Sequence, residues 1–173
     1  TPDHDIPAAL QDLADAVGAT EATLERQARL EPAAPTGQLN PEAIGQSLCA
    51  LLPEDAILVD EANTMATPIM AAVQGARRHD YLYASNGAAI GEGPPLALGA
   101  AVACPDRKVV LLQADGSGMY TVQALWSIAR EDCDITIIVL KNDEYGILNV
   151  ELARVREGEA TDKMLSMLKL VPP

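Results

Sequence analysis

The stretch QADGSGMY at residues 113–120 decides the fold of this chain. It follows the apolar run 109–112, which predicts a buried β-strand, and its small and polar residues predict a turn that opens a helix. A second apolar run, 135–140, ends in another polar segment, 141–146. With the helical segment between them, the two runs predict a βαβ unit, so both polar segments lie at the carboxyl ends of neighbouring parallel strands. Open α/β sheets bind their ligands at that edge.

The rest of the chain adds further strands and helices in alternating order. Residues 56–59 predict a strand that ends in the polar turn 60–64, and residues 81–84 predict a second, short strand. The sequence Asn-Pro-Glu at 40–42 predicts the start of an earlier helix. We therefore expect an α/β fold with a parallel sheet and helices on both faces. In the crossover helix, four residues at helical spacing are expected to pack against the sheet: Val122, Leu125, Trp126 and Ala129.

Composition and charge exclude several classes of function. The chain has 173 residues, 49% of them hydrophobic, which suits a globular domain with a sizeable core. It carries 12 basic and 25 acidic side chains, a formal net charge of −13, so its surface repels phosphate backbones and we expect no nucleic-acid partner. No apolar run reaches membrane-spanning length, and three widely spaced cysteines indicate reduced core residues in a cytoplasmic protein.

Two polar side chains at the strand ends have the chemistry of a magnesium site. Mg²⁺ binds oxygen ligands and commonly joins one or two protein carboxylates or amides to phosphate oxygens. Asp115 and Asn142 can supply two such oxygens from adjacent strand ends. The glycines after Asp115 let backbone amides approach a phosphate, and the helix that opens near Met119 adds the positive end of its dipole. The pair can therefore join a metal ion to a diphosphate, although two turn residues that cap helices would show the same spacing.

These residues also resemble a known signature. Asp-Gly-Ser at 115–117, with Asn142 lying 27 positions after Asp115, is similar to the metal and diphosphate signature of thiamine diphosphate-dependent enzymes, usually written G-D-G and, after a similar spacing, N-N. The resemblance is to the diphosphate-binding, C-terminal domain of the acetolactate synthase and benzoylformate decarboxylase group, and it covers roughly residues 36–170. Three blocks carry it in the same order and spacing: ADGS at 114–117, YTVQALW at 120–126 and NDEYGIL at 142–148.

The resemblance implies a set of site residues in this chain. It implies metal ligation by the Asp115 carboxylate, the side-chain oxygen of Asn142 and the backbone carbonyl of Glu144. The carbonyl of Ala88 would accept a hydrogen bond from the 4'-amino group of the aminopyrimidine, and Ile90 would be the bulky side chain that bends the cofactor. The bent cofactor then attacks a 2-oxo acid through its thiazolium ring. The positions implied to line the diphosphate are Asn63, Thr64, Gly116, Ser117, Tyr120, Tyr145 and Gly146.

The chain departs from the family pattern at two positions and lacks whole domains. Ala114 and Lys141 replace the first Gly and the first Asn of the signature. Family members carry a separate pyrimidine-binding domain, whose glutamate activates the cofactor of a neighbouring subunit, and usually a middle domain. We therefore expect a fragment without a catalytic residue of its own, inactive alone, in which residues 1–36 are the tail of a middle domain plus a linker and residues 37–173 are the cofactor-binding domain, truncated at its C-terminus. The implied partners are a small 2-oxo acid and further copies in a homo-oligomer.

Other interpretations of the residues remain open. The glycines at 87, 91 and 93 could serve a nicotinamide-dependent dehydrogenase, although G-x-x-x-G-x-G differs from the usual dinucleotide pattern. The chain could also be a non-catalytic module that keeps the fold for assembly. Glu61 is either a plain strand-end carboxylate or a residue on the substrate side of the site.

Overall fold

The computed structural model of this chain describes residues 5–20, 28–83, 89–155 and 160–170. Helices and strands largely alternate along these residues, with short 3₁₀ turns at Asn63–Met65 and Met119–Thr121. The strands are β1 (Ala56–Glu61), β2 (His79–Tyr83), β3 (Val109–Ala114) and β4 (Ile135–Leu140). The helices are α1 (Ile6–Ala16), α2 (Pro41–Leu51), α3 (Ala66–Val73), α4 (Gly93–Ala103), α5 (Asp115–Gly118), α6 (Ala124–Arg130), α7 (Gly146–Val155) and α8 (Asp162–Ser166).

The strands of the described residues pair in parallel, in the spatial order β2-β1-β3-β4. The two central strands, β1 and β3, are buried along almost their whole length. Successive side chains of a strand point to opposite faces of the sheet. Leu58 and Leu112 pack with α2 and α3 on one face, whereas Val59 and Leu111 pack with α4 on the other. Helices therefore cover both faces of a parallel sheet, which confirms the predicted fold class.

Helix α2 begins where the sequence predicts and packs closely on α3. The Asn40 side chain caps it by accepting a hydrogen bond from the Ala43 amide at 2.7 Å, and Pro41 occupies the first helical position. The two helices approach closely at Gly45, where a β-carbon would lie 2.6 Å from that of Ala72. Together α2 and α3 form a tight layer over one face of the sheet.

Strand β1 is two residues longer than predicted, so that two carboxylates lie within the strand instead of in the turn after it. Asp60 is 1% exposed and Glu61 is 3% exposed. Asp60 accepts hydrogen bonds from the Ala62 amide, at 2.7 Å, and from the Tyr81 hydroxyl on the neighbouring strand. Because good donors stabilise a buried carboxylate, polarity alone does not mark where a strand ends.

The hydroxyl of Tyr81 is expected to make stability depend on pH. Burial, followed by the hydrogen bond to Asp60 and the charge of that carboxylate, raises the pKa of Tyr81 above its ordinary value. An unfolded tyrosine ionises at about pH 10, so above that pH the unfolded chain releases a proton that the folded protein keeps, and the unfolding free energy falls. Tyr81→Phe should reduce this fall, and it should also lose about 1–3 kcal/mol at neutral pH because Asp60 loses a donor.

Urea unfolding over a series of pH values measures both effects of Tyr81→Phe. Tyr83→Phe is the matched control, because Tyr83 lies on the same strand with an exposed side chain. The same fall of stability above about pH 10 in wild type and in Tyr81→Phe would contradict the role given to this hydroxyl.

The crossover helix turns a different face to the protein from the one predicted. The buried residues of α6 are Ala124 and Ile128, and the helix packs on α4. Trp126, predicted to pack against the sheet, is 65% exposed, and its predicted companions Val122, Leu125 and Ala129 are exposed as well. Helical spacing identifies an apolar face but not the surface that covers it. The predicted packing of this face on the sheet is therefore wrong.

The described part of the segment before α2 contains one helix. That helix, α1, has no buried residue. Leu30 contacts the domain, since its amide donates to the Gly75 carbonyl at 2.7 Å. Residues 21–27 and the predicted loop residue Ala88 lie outside the described residues, and the boundary at residues 36–37 stays a prediction. Within the described ranges, no helix has the length and apolarity needed to cross a membrane.

Candidate functional site

A cleft of about 230 Å³ opens at the carboxyl ends of β1, β3 and β4. The parallel order of the sheet brings these three strand ends to one edge, as expected for an open α/β sheet. All the predicted site residues that the structure describes line this cleft, whereas Ala88 lies outside the described residues. They are Asn63, Thr64, Ile90, Asp115, Gly116, Ser117, Tyr120, Asn142, Glu144, Tyr145 and Gly146.

The carboxylate of Asp115 connects the two polar segments. Its Oδ2 accepts hydrogen bonds from the backbone amides of Asn142, at 3.2 Å, and of Asp143, at 2.8 Å. Its Oδ1 accepts from the Gly116 amide at 3.0 Å. Since β3 and β4 are paired neighbours, this one side chain holds the end of each strand against the other.

The segment after β4 forms a tight turn. The Oδ1 atom of Asn142 accepts a hydrogen bond from the Glu144 amide at 3.2 Å. Asp143 has a left-handed backbone conformation with φ of 60°, which Asp tolerates better than most residues. Lys141 forms an ion pair with Asp143 across this turn. The residue that replaces the first Asn of the signature therefore ties the turn through an ion pair.

A short C-terminal segment, residues 168–170, pairs with the same turn. The Leu168 carbonyl accepts a hydrogen bond from the Tyr145 amide at 2.8 Å, and the Leu170 amide donates to the Asp143 carbonyl at 2.7 Å. The segment and the turn also form an antiparallel bridge. Residues 168–170 therefore hold the turn in addition to the bonds made by the strand end of β3.

The ring of Tyr145 packs directly on the backbone of Gly116. A β-carbon at position 116 would lie 2.8 Å from Cε1 of this ring and 3.3 Å from Cδ1 of Leu170, so the close approach requires glycine. Burial is the main cause that raises the pKa of Tyr145, with further contributions from Tyr120 and from the charge of Asp115. Tyr145 therefore keeps its proton at neutral pH and can donate a hydrogen bond to an anion in the cleft.

A hydrogen-bond network around Ser117 connects the ends of β1 and β3. The Ser117 hydroxyl accepts from Nδ2 of Asn63 at 3.1 Å and from Nε2 of Gln113 at 2.8 Å, and it donates to the Ala114 carbonyl at 3.3 Å. These three bonds occupy the one donor and two acceptor positions of a hydroxyl. Ser117 is also only 4% exposed. Its main-chain amide, and not its hydroxyl, is therefore the group suited to a ligand.

Glu61 ends β1 but lies outside the lining of the cleft. Its Oε1 accepts a hydrogen bond from the Gly91 amide, and its Oε2 accepts from the Gly93 amide at 2.7 Å. Its burial rules out the interpretation of Glu61 as a residue facing substrate. The same bonds use glycine amides that a dinucleotide phosphate would need, so the geometry does not favour the nicotinamide-dependent hypothesis.

Sequence patterns do not find several residues of this site. Residues 168–170 pair with the turn after β4, and Gln113 donates a hydrogen bond to Ser117. Neither contact is visible in the linear sequence. Ile147 and Leu148 line the cleft, and both are about half exposed. Both lie in the block 142–148 that carries the family resemblance, but neither was predicted as a site residue.

Comparison with known proteins agrees with this geometry. Residues 64–168, which include both polar segments, match the family described as thiamine pyrophosphate enzyme, C-terminal TPP binding domain. The chain belongs to this family. As a TPP-binding domain, it has its cleft at the strand ends that carry the family signature.

Named relatives of this TPP-binding domain are decarboxylases and a synthase. The chain is 47% identical over 143 residues to the Mycobacterium tuberculosis (strain H37Rv) protein named "Putative acetolactate synthase large subunit IlvX". The matched region covers 82% of this chain and 28% of that protein. It is 38% identical over 112 residues to benzoylformate decarboxylase of Pseudomonas aeruginosa, over 65% of this chain and 21% of that protein.

A solved structure gives the same result. The thiamine diphosphate-dependent 4-hydroxybenzoylformate decarboxylase of Rhodococcus jostii RHA1 superposes with a TM-score of 0.71 and 30% identity, over 96% of this chain and 31% of that one. The chain therefore spans less than a third of the length of these relatives. It is a TPP-binding domain of the decarboxylase and acetolactate synthase-like enzymes.

The oxygen atoms of the cleft suit a hard cation. In the described ranges, no group of three or more His, Cys, Asp or Glu side chains is placed to hold a metal ion. The cleft offers instead one central carboxylate, Asp115, beside amide and main-chain oxygens at Asn142 and Glu144. Magnesium in phosphate sites uses one or two carboxylates and completes its coordination with phosphate and water. The residues present therefore fit a magnesium diphosphate.

Replacing Leu170 by proline is expected to weaken ligand binding in the cleft by about 2- to 10-fold. Proline lacks the N–H that donates to the Asp143 carbonyl, so the turn after β4 loses one of the hydrogen bonds that hold it in place. Calorimetric titration with thiamine diphosphate and magnesium measures the change. Leu170→Ala keeps the N–H and is the matched control. Equal losses in the two variants would show that the side chain, and not the backbone pairing, holds the turn.

Proposed function

We propose that this domain binds thiamine diphosphate through a magnesium ion, as part of a 2-oxo acid decarboxylase or an acetolactate synthase-like enzyme. The observation that carries the proposal concerns the Asp115 carboxylate. It accepts hydrogen bonds from the backbone amides of Asn142 and Asp143 and so joins the two polar segments in one cleft. We assign the metal to the Asp115 carboxylate, the side-chain oxygen of Asn142 and the main-chain carbonyl of Glu144.

The charge of the protein explains why a metal ion would be needed. The chain has a formal net charge of −13, which opposes the approach of a diphosphate. A carboxylate has about four acceptor positions, and the Asp115 carboxylate uses three of them for amides, which leaves one for a cation. A divalent ion held there would offset the repulsion between the domain and its ligand.

We assign the diphosphate to the small residues and hydroxyl groups around this metal position. Ser117 would donate its main-chain amide from the first turn of α5, whose leading amides have no partner within the helix. The amide of Gly116 already bonds to Asp115, and the small size of Gly116 would let a phosphate approach the backbone. The hydroxyls of Tyr120 and Tyr145 lie beside them in the cleft. The remaining diphosphate positions are Asn63, Thr64 and Gly146, which line the same cleft.

We assign the pyrimidine side of the cofactor to the stretch of sequence that contains Ala88 and Ile90. Ile90 lines the cleft and is partly exposed, as a side chain that supports a bound ring must be. The role of the Ala88 carbonyl rests on the family resemblance. When bound, thiamine diphosphate supplies the carbanion chemistry by which 2-oxo acids are decarboxylated or joined.

We further propose that a neighbouring subunit completes the active site in a homo-oligomer. The activating glutamate is expected from the pyrimidine-binding domain of that subunit, so the 173-residue chain alone should not turn over a 2-oxo acid. The segment around the cleft residue Tyr120 exposes several apolar side chains, which suits a surface that another domain covers. They are Met119, Tyr120, Val122, Leu125 and Trp126.

We also assign the protein to the cytoplasm. Cys49, Cys104 and Cys133 are free in the structure, and each is at least partly buried. Unpaired cysteines in the interior are typical of a reducing compartment.

Calorimetric titration with thiamine diphosphate, with and without magnesium, tests the proposed function. We expect binding in the presence of magnesium and little or none when the metal is chelated, because the anionic domain then lacks its bridging cation. A parallel titration with NAD is the control for the dehydrogenase hypothesis. Binding of NAD without a response to thiamine diphosphate would overturn the proposal, and binding of neither ligand would favour the non-catalytic assembly module.

A further inference from the structure

We propose that Glu61 is a positioning residue whose buried carboxylate holds the turn 91–93 and thereby fixes Ile90 on the pyrimidine side of the cleft. The inference rests on the proposed function, because the pyrimidine ring is the ligand group that Ile90 would meet. It adds to that function a residue that does not contact the ligand.

The carboxylate of Glu61 is committed to this turn. Both of its oxygens accept main-chain amides, Oε1 from Gly91 and Oε2 from Gly93, and the side chain is buried. A buried charge is unfavourable unless hydrogen-bond donors surround it. The turn supplies two donors, so the carboxylate and the turn stabilise each other and are expected to move together.

The turn packs so closely on its supports that a β-carbon at either glycine would displace a neighbouring atom. A β-carbon on Gly93 would lie 2.6 Å from Oε2 of Glu61 and 2.5 Å from Oε1 of Gln113. Gly91 has φ of 93°, a conformation that favours glycine, and a β-carbon there would lie 2.7 Å from that of Tyr120. The backbone of the turn therefore packs directly on its supports.

A second bond holds the turn from the other direction. The Thr121 hydroxyl donates to the Gly91 carbonyl at 2.5 Å, from the 3₁₀ turn that follows α5. Gly91 is thus held at its amide by Glu61 and at its carbonyl by Thr121. Ile90 is its direct neighbour in the chain and lines the cleft, so these two side chains set where Ile90 stands.

The metal and diphosphate residues are held by different bonds. Asp115 bonds to the amides of Gly116, Asn142 and Asp143, whereas the carboxylate of Glu61 bonds to the turn 91–93. Loss of the Glu61 carboxylate should therefore disturb the pyrimidine side of the cleft and leave the diphosphate side intact. Inorganic diphosphate with magnesium probes the second side alone, and thiamine diphosphate with magnesium probes both.

Glu61→Gln tests the proposal on the full 173-residue chain. Glutamine keeps the shape but presents an NH₂ group to one of the two glycine amides, so a charge-assisted hydrogen bond is lost. We expect the Kd for thiamine diphosphate to rise by about 10- to 100-fold, while the Kd for magnesium with inorganic diphosphate changes by less than about 2-fold. Glu92→Gln is the matched control, because Glu92 lies in the same turn and its side chain makes no capping hydrogen bond to α4.

Thr121→Val keeps the test decisive if Glu61→Gln does not fold. It removes only the hydroxyl bond to the Gly91 carbonyl, and we expect a rise of about 2- to 10-fold in the Kd for thiamine diphosphate alone. Unchanged affinity for thiamine diphosphate in the folded variants would overturn the proposal, as would an equal loss for both ligands, which indicates a general structural role. A wild-type chain that binds neither ligand refutes the proposed function itself, and the role of Glu61 with it.

Discussion

Asp115→Ala is expected to reduce the affinity for thiamine diphosphate in the presence of magnesium by at least about 100-fold. The substitution removes the proposed metal carboxylate and also leaves the amides of Asn142 and Asp143 without their acceptor. A contact to a charged group contributes about 1.5–3 kcal/mol, so loss of the metal contact together with loosening of the turn that carries Asn142 corresponds to a change of this size. Titration calorimetry with saturating magnesium measures the loss.

Two further variants separate the roles of the Asp115 carboxylate. Asp115→Asn keeps one oxygen acceptor for the turn after β4 but lacks the charge, so we expect it to lose metal-dependent binding while retaining more of the wild-type stability than Asp115→Ala. Asp106→Ala removes an exposed carboxylate from the turn before β3, at the other end of that strand, and should bind as the wild type does. Wild-type affinity in Asp115→Ala would refute the metal assignment.

Leu58→Ala is expected to lower the free energy of unfolding by about 3 kcal/mol, within the 2–5 kcal/mol typical of such truncations. Leu58 lies in the centre of β1 and is 0% exposed. It belongs to the core between the sheet and the helices α2 and α3, in the same cluster as Leu48, Ile69 and Val110. Because helices cover both faces of the sheet, the packed neighbours of Leu58 can close only part of the space that the lost atoms leave. The substitution therefore creates a cavity. Urea denaturation followed by circular dichroism measures the difference.

Leu51→Ala is the matched control for the core substitution. Leu51 is the last residue of α2 and is 72% exposed, so its truncation should change the unfolding free energy by no more than about 0.5 kcal/mol. Similar losses in the two variants would mean that the face of α2 near Leu51 is covered by a further structure. A loss below about 1 kcal/mol in Leu58→Ala would contradict the described packing of the core.

Much of the sheet could be predicted because its strands are short apolar runs with polar ends. Strand β4 begins and ends at the predicted residues, and β3 differs only by two residues at its carboxyl end. Burial on both faces of a parallel sheet makes such strands continuously apolar, and the pattern is then visible without any partner. Strand β1 was predicted too short because Asp60 and Glu61 obtain donors from residues outside the strand.

The face of α6 could not be predicted from its spacing. Val122, Leu125 and Trp126 form an apolar stripe, but the helix buries Ala124 and Ile128 instead. The local sequence shows which side of a helix is apolar. Only the arrangement of the other elements determines which side packs against the rest of the domain. The exposed stripe is consistent with the proposed contact to a neighbouring subunit.

The sequence by itself determined the strands, their order of appearance, and the polar chemistry at their carboxyl ends. Asp115 and Asn142 could be paired in advance because a βαβ unit necessarily brings adjacent strand ends to one edge. The tertiary structure alone decided how these ends are held: the turn after β4 by residues 168–170, and the turn 91–93 by Glu61 and Thr121. Those contacts join positions 23 to 32 residues apart without a local pattern, and backbone amides, which every sequence carries, supply most of their donors.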